Sequence, residues 1–291
     1  MSLSDSEESD IEVNDDEATS SDDMRIEFSL DSVVFQKLLK SYKEFATEAI
    51  FKMTSDILII YPASNQDENS ASKKKKKGSA QGPKFYGRGD FKDVNYYYQF
   101  LNRQHYLLLN IKALIDAAKS YGSTDQIMFR ISSKNPSGIA INSSSGMTFK
   151  MNSGQFVSGK VLEPGADEPV ELSKSGKMKY TLPEHDFEKI LKALSVGTSE
   201  NTRVEIQIYP DYFFIRFNNS SLTHNFKIGN TESENEEQYS SLSVSKTMIK
   251  SLKSNTNKAG NCEFRVVDDF FVIERRLGSG GIITFCLPTV E

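Results

Sequence analysis

The sequence predicts an α+β protein made of two copies of one domain. Three observations point there. The stretch "FSLDSVVFQKLLK" (28–40) returns as "YTLPEHDFEKILK" (180–192), so that Leu30, Phe35, Lys37, Leu39 and Lys40 recur 152 positions later as Leu182, Phe187, Lys189, Leu191 and Lys192. A second helix-like stretch stands at the matching place in each half, "NIKALIDAAKSYG" (110–122) and "SKTMIKSLKSN" (245–255). Between and after these helices lie short strand-like runs, and 291 residues leave room for two ordinary domains.

Residues 1–23 come first and hold ten acidic side chains with no Lys or Arg. They have too little apolar surface to fold, so a disordered acidic tail is expected. Its serines among acids suit an acidophilic kinase, or the tail simply solubilises. The tail also distorts the net charge of −5: residues 24–291 carry 35 basic against 30 acidic groups.

The first domain is expected over 24–151. After the opening strand and helix, "AIFKMTSDILII" (49–60) reads as two strands around a turn at Asp56. A polar insertion follows (65–84), holding the run Lys73–Lys77 and reading as a loop. Strand-like "VNYYYQFL" (94–101) and "YLLLNI" (106–111) lead into the second helix, and "QIMFRIS" (126–132) and "GMTFKM" (146–151) finish the half. A Gly-, Ser- and Pro-containing connector spans 152–177.

The second domain, 178–291, repeats the plan. "VEIQIYPDYFFI" (204–215) echoes the strand pair, and "SLTHNFKIG" (221–229) and "YSSLSV" (239–244) precede its second helix. "CEFRVVD" (262–268) and "FVIERRLGSGGIITFCLPTVE" (271–291) close it. Each half therefore reads β-α-β-β-β-β-α-β-β-β, give or take a strand.

On a 3.6-residue wheel the four helices share a design. Val34, Phe35, Leu38, Leu39, Tyr42 and Ala46 form one apolar stripe, with Lys37, Lys40 and Lys43 across from it. Ile111, Leu114, Ile115 and Ala118 oppose Lys112 and Lys119, with Asp116 between the two lysines. Phe187, Ile190, Leu191 and Leu194 oppose Lys189 and Lys192. Met248, Ile249 and Leu252 oppose Lys246, Lys250 and Lys253. Lysine is the commonest solubilising choice on one exposed helix, but surface helices usually mix signs. Four helices that present lysines with few acids read as a basic surface suited to phosphates rather than to base edges, which call for planar Arg, Asn or Gln forks.

Catalytic and metal constellations are not evident. His105, His185 and His224 lack ligand spacing, and "GSGG" (278–281) lacks the Lys-Ser/Thr of a phosphate loop and reads as a hairpin turn. Cys262 and Cys286 lie in strand-like runs, as buried thiols of a reducing compartment would. No apolar run reaches the length of a membrane span, and the acidic start is unlike a secretory leader. No enzyme activity and no cofactor are expected.

The duplicated "F-x-K-x-L-K" helix, "NIKALIDAAKSYGSTDQIMFRI" (110–131) and the terminal strand–turn–strand–Pro arrangement over 270–291 resemble the sliding clamps of the proliferating cell nuclear antigen (PCNA) type, over about residues 24–291. The resemblance implies a head-to-tail ring, usually a trimer of two-domain subunits, with antiparallel sheets outside and two helices per domain lining a channel. Lys37, Lys40, Lys43, Lys112, Lys119, Lys189, Lys192, Lys246, Lys250 and Lys253 would then attend the phosphates of double-stranded DNA, although Asp116 stands where the family usually has a basic residue. It implies a docking groove for DNA polymerase and other replication proteins, lined by Phe156, Val157, Val161, Leu162 and Pro164 of the connector with Cys286, Leu287 and Pro288; local packing onto the sheet is the alternative role of these apolar residues. It also nominates the strands at 146–151 and 222–229 for subunit contact, with Met147, Phe149, Met151, Thr223, Asn225 and Lys227. The Lys73–Lys77 run departs from the family pattern and reads as a solvated loop, a nuclear signal or a DNA contact. The nucleus or a viral replication compartment is the expected location, and a large DNA virus or a protist the suggested source. Two rival roles remain: a clamp-fold scaffold in transcription or checkpoint signalling, and a monomeric accessory protein that holds DNA by charge.

Overall fold

The structure, a computed structural model, describes residues 25–44, 46–54, 56–63, 86–92, 96–98, 105–122, 125–132, 135–143, 148–151, 179–196, 202–208, 212–219, 222–229, 238–253, 260–267, 270–277 and 281–289. The acidic tail, the insertion at 65–84 and the connector at 152–177 lie outside the described residues. In the first half, β1 (Arg25–Asp31) runs directly into α1 (Ser32–Tyr42). Then come β2 (Glu48–Met53), β3 (Leu58–Pro62), β4 (Tyr86–Phe91), β5 (Tyr96–Tyr98), β6 (His105–Asn110), α2 (Ile111–Lys119), β7 (Gln126–Ser132), β8 (Asn135–Ser143) and β9 (Thr148–Met151). The second half comprises β10 (Lys179–Pro183), α3 (Glu184–Ser195), β11 (Thr202–Ile208), β12 (Tyr212–Asn219), β13 (Leu222–Gly229), β14 (Gln238–Val244), α4 (Lys246–Lys253), β15 (Asn261–Val267), β16 (Phe270–Arg276) and β17 (Gly281–Pro288). The second half has the expected order of elements, and the first carries one strand more.

All strand pairings among the described residues are antiparallel. They make a five-stranded sheet β5-β1-β7-β8-β9, a four-stranded sheet β13-β12-β11-β14, and an eight-stranded sheet β10-β15-β16-β17-β4-β3-β2-β6. The long sheet belongs to both halves. Its seam is β17 against β4, where Ile283 faces Gly89 and Phe285 faces Gly87.

The two halves repeat in contacts as well as in sequence. The first helical amide, Ser32 N, donates to the Asp125 carbonyl at 3.0 Å; 152 positions on, Glu184 N donates to the Gly260 carbonyl at 2.9 Å. Each bond ties a helix start to the strand beside it, β7 or β15. Phe35 meets Phe129 edge-on at 5.3 Å, and its counterpart Phe187 meets Phe264 edge-on at 5.1 Å. Such aromatic pairs add roughly 1 kcal/mol beyond the area they bury.

β2 and β3 are buried on both faces, which is why "AIFKM" and "LIIYP" run apolar without alternation apart from the buried Lys52. One face joins the main core through Phe51 and Ile60. The other gathers Ile50, Ile59 and Tyr61 into a small cluster of its own.

Candidate functional site

Each helix is placed by its apolar stripe, and three of the four are fastened at the start by a side-chain cap, α3 following Pro183 without one. Asp31 Oδ1 accepts from Val34 N (3.0 Å) at α1, Asn110 Oδ1 accepts from Ala113 N (2.9 Å) at α2, and Ser245 Oγ accepts from Met248 N (3.2 Å) at α4. The stripes read from the sequence are inside: Val34, Phe35, Leu38, Leu39, Tyr42 and Ala46 are buried, as are Ile111, Leu114, Ile115, Ala118, Phe187, Ile190, Leu191, Leu194, Ile249 and Leu252. Met248 is half-buried against the same core.

Side chains stitch these helices into one row, in the order α2-α1-α4-α3. Gln36 Nε2 on α1 donates to the Ala118 carbonyl of α2 at 2.8 Å. Ser251 Oγ on α4 donates to the Ser41 carbonyl of α1 at 2.7 Å, a bond between the two halves of the chain. Lys253 Nζ on α4 donates to Ser195 Oγ on α3 at 2.8 Å. Buried Arg275 on β16 completes the row by donating Nη1 to the Leu252 carbonyl of α4 at 2.6 Å while pairing with Glu184 of α3 at 3.3 Å.

All cations on the four helices are lysines. Lys43, Lys112, Lys119, Lys189, Lys192, Lys246 and Lys250 are exposed, and Lys37, Lys40 and Lys253 are half-buried. The expectation of few acids among them needs correction, because the face holds carboxylates that engage the lysines. Asp116 pairs with Lys119 at 2.8 Å, Asp186 with Lys189 at 2.8 Å and Glu188 with Lys192 at 3.2 Å. Glu44 lies between Lys43 (3.9 Å) and Lys250 (3.8 Å). The hydrogen bond from the Lys119 ammonium holds the Asp116 carboxyl below its ordinary pKa. The wheel reading weighed Asp116 and overlooked Asp186 and Glu188, although both stand in "EHDFEKILK". Lysines still outnumber these carboxylates, so the face remains positive.

The nominated contact strands lie at open sheet edges. β9 ends the five-stranded sheet and β13 the four-stranded one. Thr223, Asn225 and Lys227 are exposed on β13. The alternate residues His224, Phe226 and Ile228 pair with the buried Phe217, Ile215 and Phe213, yet they are only half-buried, and among the described residues no strand lies beyond them in the sheet. Phe226 and Ile228 are thus the apolar residues an added strand would cover. Period-2 alternation in "LTHNFKIG" was the available signal for them. Phe149 and Met151 belong to β9; Met147 lies outside the described residues.

The groove residues Phe156, Val157, Val161, Leu162 and Pro164 also lie outside the described residues. On β17, Leu287 points into the main core and Cys286 joins Val267, Val272 and Phe270 in a separate cluster, both fully buried. Pro288 is half-exposed. No group of three metal-ligating side chains occurs among the described residues, and no described helix is long and apolar enough to cross a membrane.

The sequence matches no family model and no curated protein. Its fold does match solved structures. PCNA from Thermococcus kodakaraensis aligns with a TM-score of 0.66 at 12% identity, over 91% of this chain and 100% of that one. The fold is the PCNA clamp. PCNA from Entamoeba histolytica aligns at 0.67 and 13% identity, over 92% of this chain and 99% of that one. A PCNA from A. fulgidus, solved with the C-terminal region of FEN-1 bound, aligns at 0.63 and 13%, over 91% and 98%. In this clamp fold the two copies of the domain meet at the β17–β4 seam, and the lysine-bearing helices form one row across both.

Proposed function

We propose that the chain is a sliding clamp, a non-catalytic tether that encircles duplex DNA without reading its sequence and holds DNA polymerase and other replication proteins there. The observation that carries this reading is the row α2-α1-α4-α3, bonded into one surface and carrying nine lysines, with Lys43 at the end of α1 as a tenth, but no arginine. Ammonium groups on smooth helices suit phosphates spaced along a backbone and leave the base edges unread, as sliding requires.

A homotrimer closed by β9 of one copy against β13 of the next supports encirclement, because each edge offers unpaired backbone groups to the other. In this reading 24–151 and 178–291 are two sectors of the ring. The connector 152–177, with Phe156, Val157, Val161, Leu162 and Pro164, forms the docking groove beside Pro288. The nucleus or a viral replication compartment is the matching location.

Light scattering at micromolar concentration tests the assembly, and retention on circular against linear DNA tests encirclement. About three times the 32.7 kDa chain mass, with retention on circles alone, is the expected result. A monomer that holds both DNAs equally overturns it in favour of a charge-based accessory protein. A ring completed only by a different protein favours the scaffold role.

A further inference from the structure

We propose that the N-terminal segment 1–23 is an intramolecular ligand of the lysine face, occupying the same helices that the proposed function assigns to DNA. The inference rests on that function only for what the segment competes with; the contact itself is argued from charge and tether length.

The segment brings ten carboxylates and no cation. The helix row brings lysines whose own carboxylates leave them under-neutralised: Lys119, Lys189 and Lys192 have carboxylate partners on their helices, whereas Lys37, Lys40 and Lys246 have none among the described residues and Lys112 feels Asp116 only beyond ion-pair distance. Opposite charges in contact near a protein surface attract, and the attraction decays within about 8 Å at physiological ionic strength. A polyanionic strand is thus the chemistry this face recognises, and the chain carries one.

The tether allows it. The described chain starts at Arg25, the first residue of β1, and β1 runs without a break into α1. Seven residues of strand put Arg25 about 23 Å from the start of α1. A segment of 23 residues spans up to about 75 Å, which exceeds that distance plus the roughly 30 Å width of four packed helices. Covalent attachment also holds the segment at a local concentration on the order of millimolar, so weak contacts suffice. The serines among its acids, Ser4, Ser6 and Ser9, would each add about two negative charges on phosphorylation and tighten the contact.

The test uses the full chain and a full-length variant in which the ten carboxylates between Asp5 and Asp23 are converted to amides. In the absence of DNA, both are treated with an amine-acylating reagent and mapped by mass spectrometry. Lys37, Lys40, Lys112 and Lys246 should become severalfold more reactive in the amide variant, while Lys179 on β10 and Lys227 on β13 stay unchanged as internal references. On a short labelled duplex at low salt, the amide variant should bind about tenfold more tightly. Equal acylation of the helix lysines in both proteins overturns the proposal, whatever the duplex does. A changed footprint with no duplex binding by either protein leaves the tail contact standing and removes DNA as its competitor.

Discussion

Arg275 and Glu184 form an ion pair 3.3 Å long in which the two side chains are 1% and 2% exposed. The guanidinium also reaches the Leu252 carbonyl, donates Nε to Cys262 Sγ at 3.3 Å and lies 4.8 Å from the centroid of the Phe187 ring. One side chain thereby fixes the start of α3 against the end of α4. Glu184 Oε2 and Arg275 Nη2 make no hydrogen bond, so the pair is not fully satisfied. Replacing Arg275 by Met leaves a buried carboxylate alone and should cost about 3–5 kcal/mol. Adding Glu184→Gln should recover most of that loss. Urea unfolding of both variants decides it, and equal stability of the single and double variants would refute the pairing argument.

The seam between the halves depends on glycine. A Cβ on Gly281 would lie 2.7 Å from the buried Phe91 ring, and one on Gly89 2.9 Å from a buried Leu38 methyl. Neither neighbour has room to retreat, so Gly281→Ala and Gly89→Ala should each destabilise by about 1–3 kcal/mol. Gly122→Ala serves as the control, since its nearest contact, an Asp125 oxygen, is at 3.4 Å. A drop in the urea midpoint at Gly122 as large as at Gly281 would count against close packing as the cause.

Burial pushes the Cys262 thiol up to about 12, against a weaker downward pull from Arg275. Burial likewise raises the Tyr42 hydroxyl, which donates to the Ile60 carbonyl at 2.8 Å. For a group whose folded pKa is raised, the contribution to stability is complete below the unfolded pKa and falls as pH climbs towards the folded value. Stability should therefore decline from about pH 9 towards pH 12, and Cys262→Ala should flatten that decline. A urea midpoint followed across this range measures it. The folded protein should also resist thiol alkylation at pH 8 until denaturant is added.

Lysines that already hold a carboxylate should matter less to DNA than those that do not. Lys112→Gln and Lys246→Gln are expected to lower the slope of log affinity against log salt by about 0.9 each, as a lost phosphate contact does. Lys119→Gln and Lys189→Gln should change it by less, because Asp116 and Asp186 neutralise them in part. Salt titrations of the four variants on one duplex rank them, and the reverse ranking rejects this account.

Phe226 faces the core side of an edge strand and is half-buried, with no strand beyond it among the described residues. Phe226→Glu should dissociate an assembly that closes through β13 while the isolated chain stays folded. Sedimentation together with circular dichroism separates the two effects. A variant that keeps full mass shows that β13 is not the joint.

Much of this architecture was legible because it is periodic. Leu38 and Leu191 sit on helical stripes, and Ile206 and Ile208 alternate with polar neighbours along β11, so each announces its buried side. β4 was not legible. Its sequence "YGRGDF" places Gly87 and Gly89 where a strand would show apolar side chains, because Tyr42 and Leu38 of α1 and Phe285 of the neighbouring β17 fill that space. The strand supplies backbone and its neighbours supply bulk, and no periodicity records the exchange. β8 was obscured in a similar way by Pro136 and Gly138, two breakers near its start. At the candidate site, lysine positions follow from the wheel, but the partners that temper them depend on which rotamers meet. The bond from Ser251 to Ser41 joins residues far apart in the chain and of unremarkable type, and local sequence carries no trace of it.

The seam between β17 and β4 has a mechanical consequence. A hydrogen-bonded sheet that crosses from one half to the other cannot open at its midpoint without breaking a run of six register pairs, Gly281 to Cys286 against Phe91 to Tyr86. The chain should bend as a single stiff beam rather than as two plates on a hinge. Deformation is left instead to the two smaller sheets, whose end strands β9 and β13 have no further strand beside them among the described residues. If copies join end to end, the joints are the compliant points of the assembly, and a machine that pries it open has to work there.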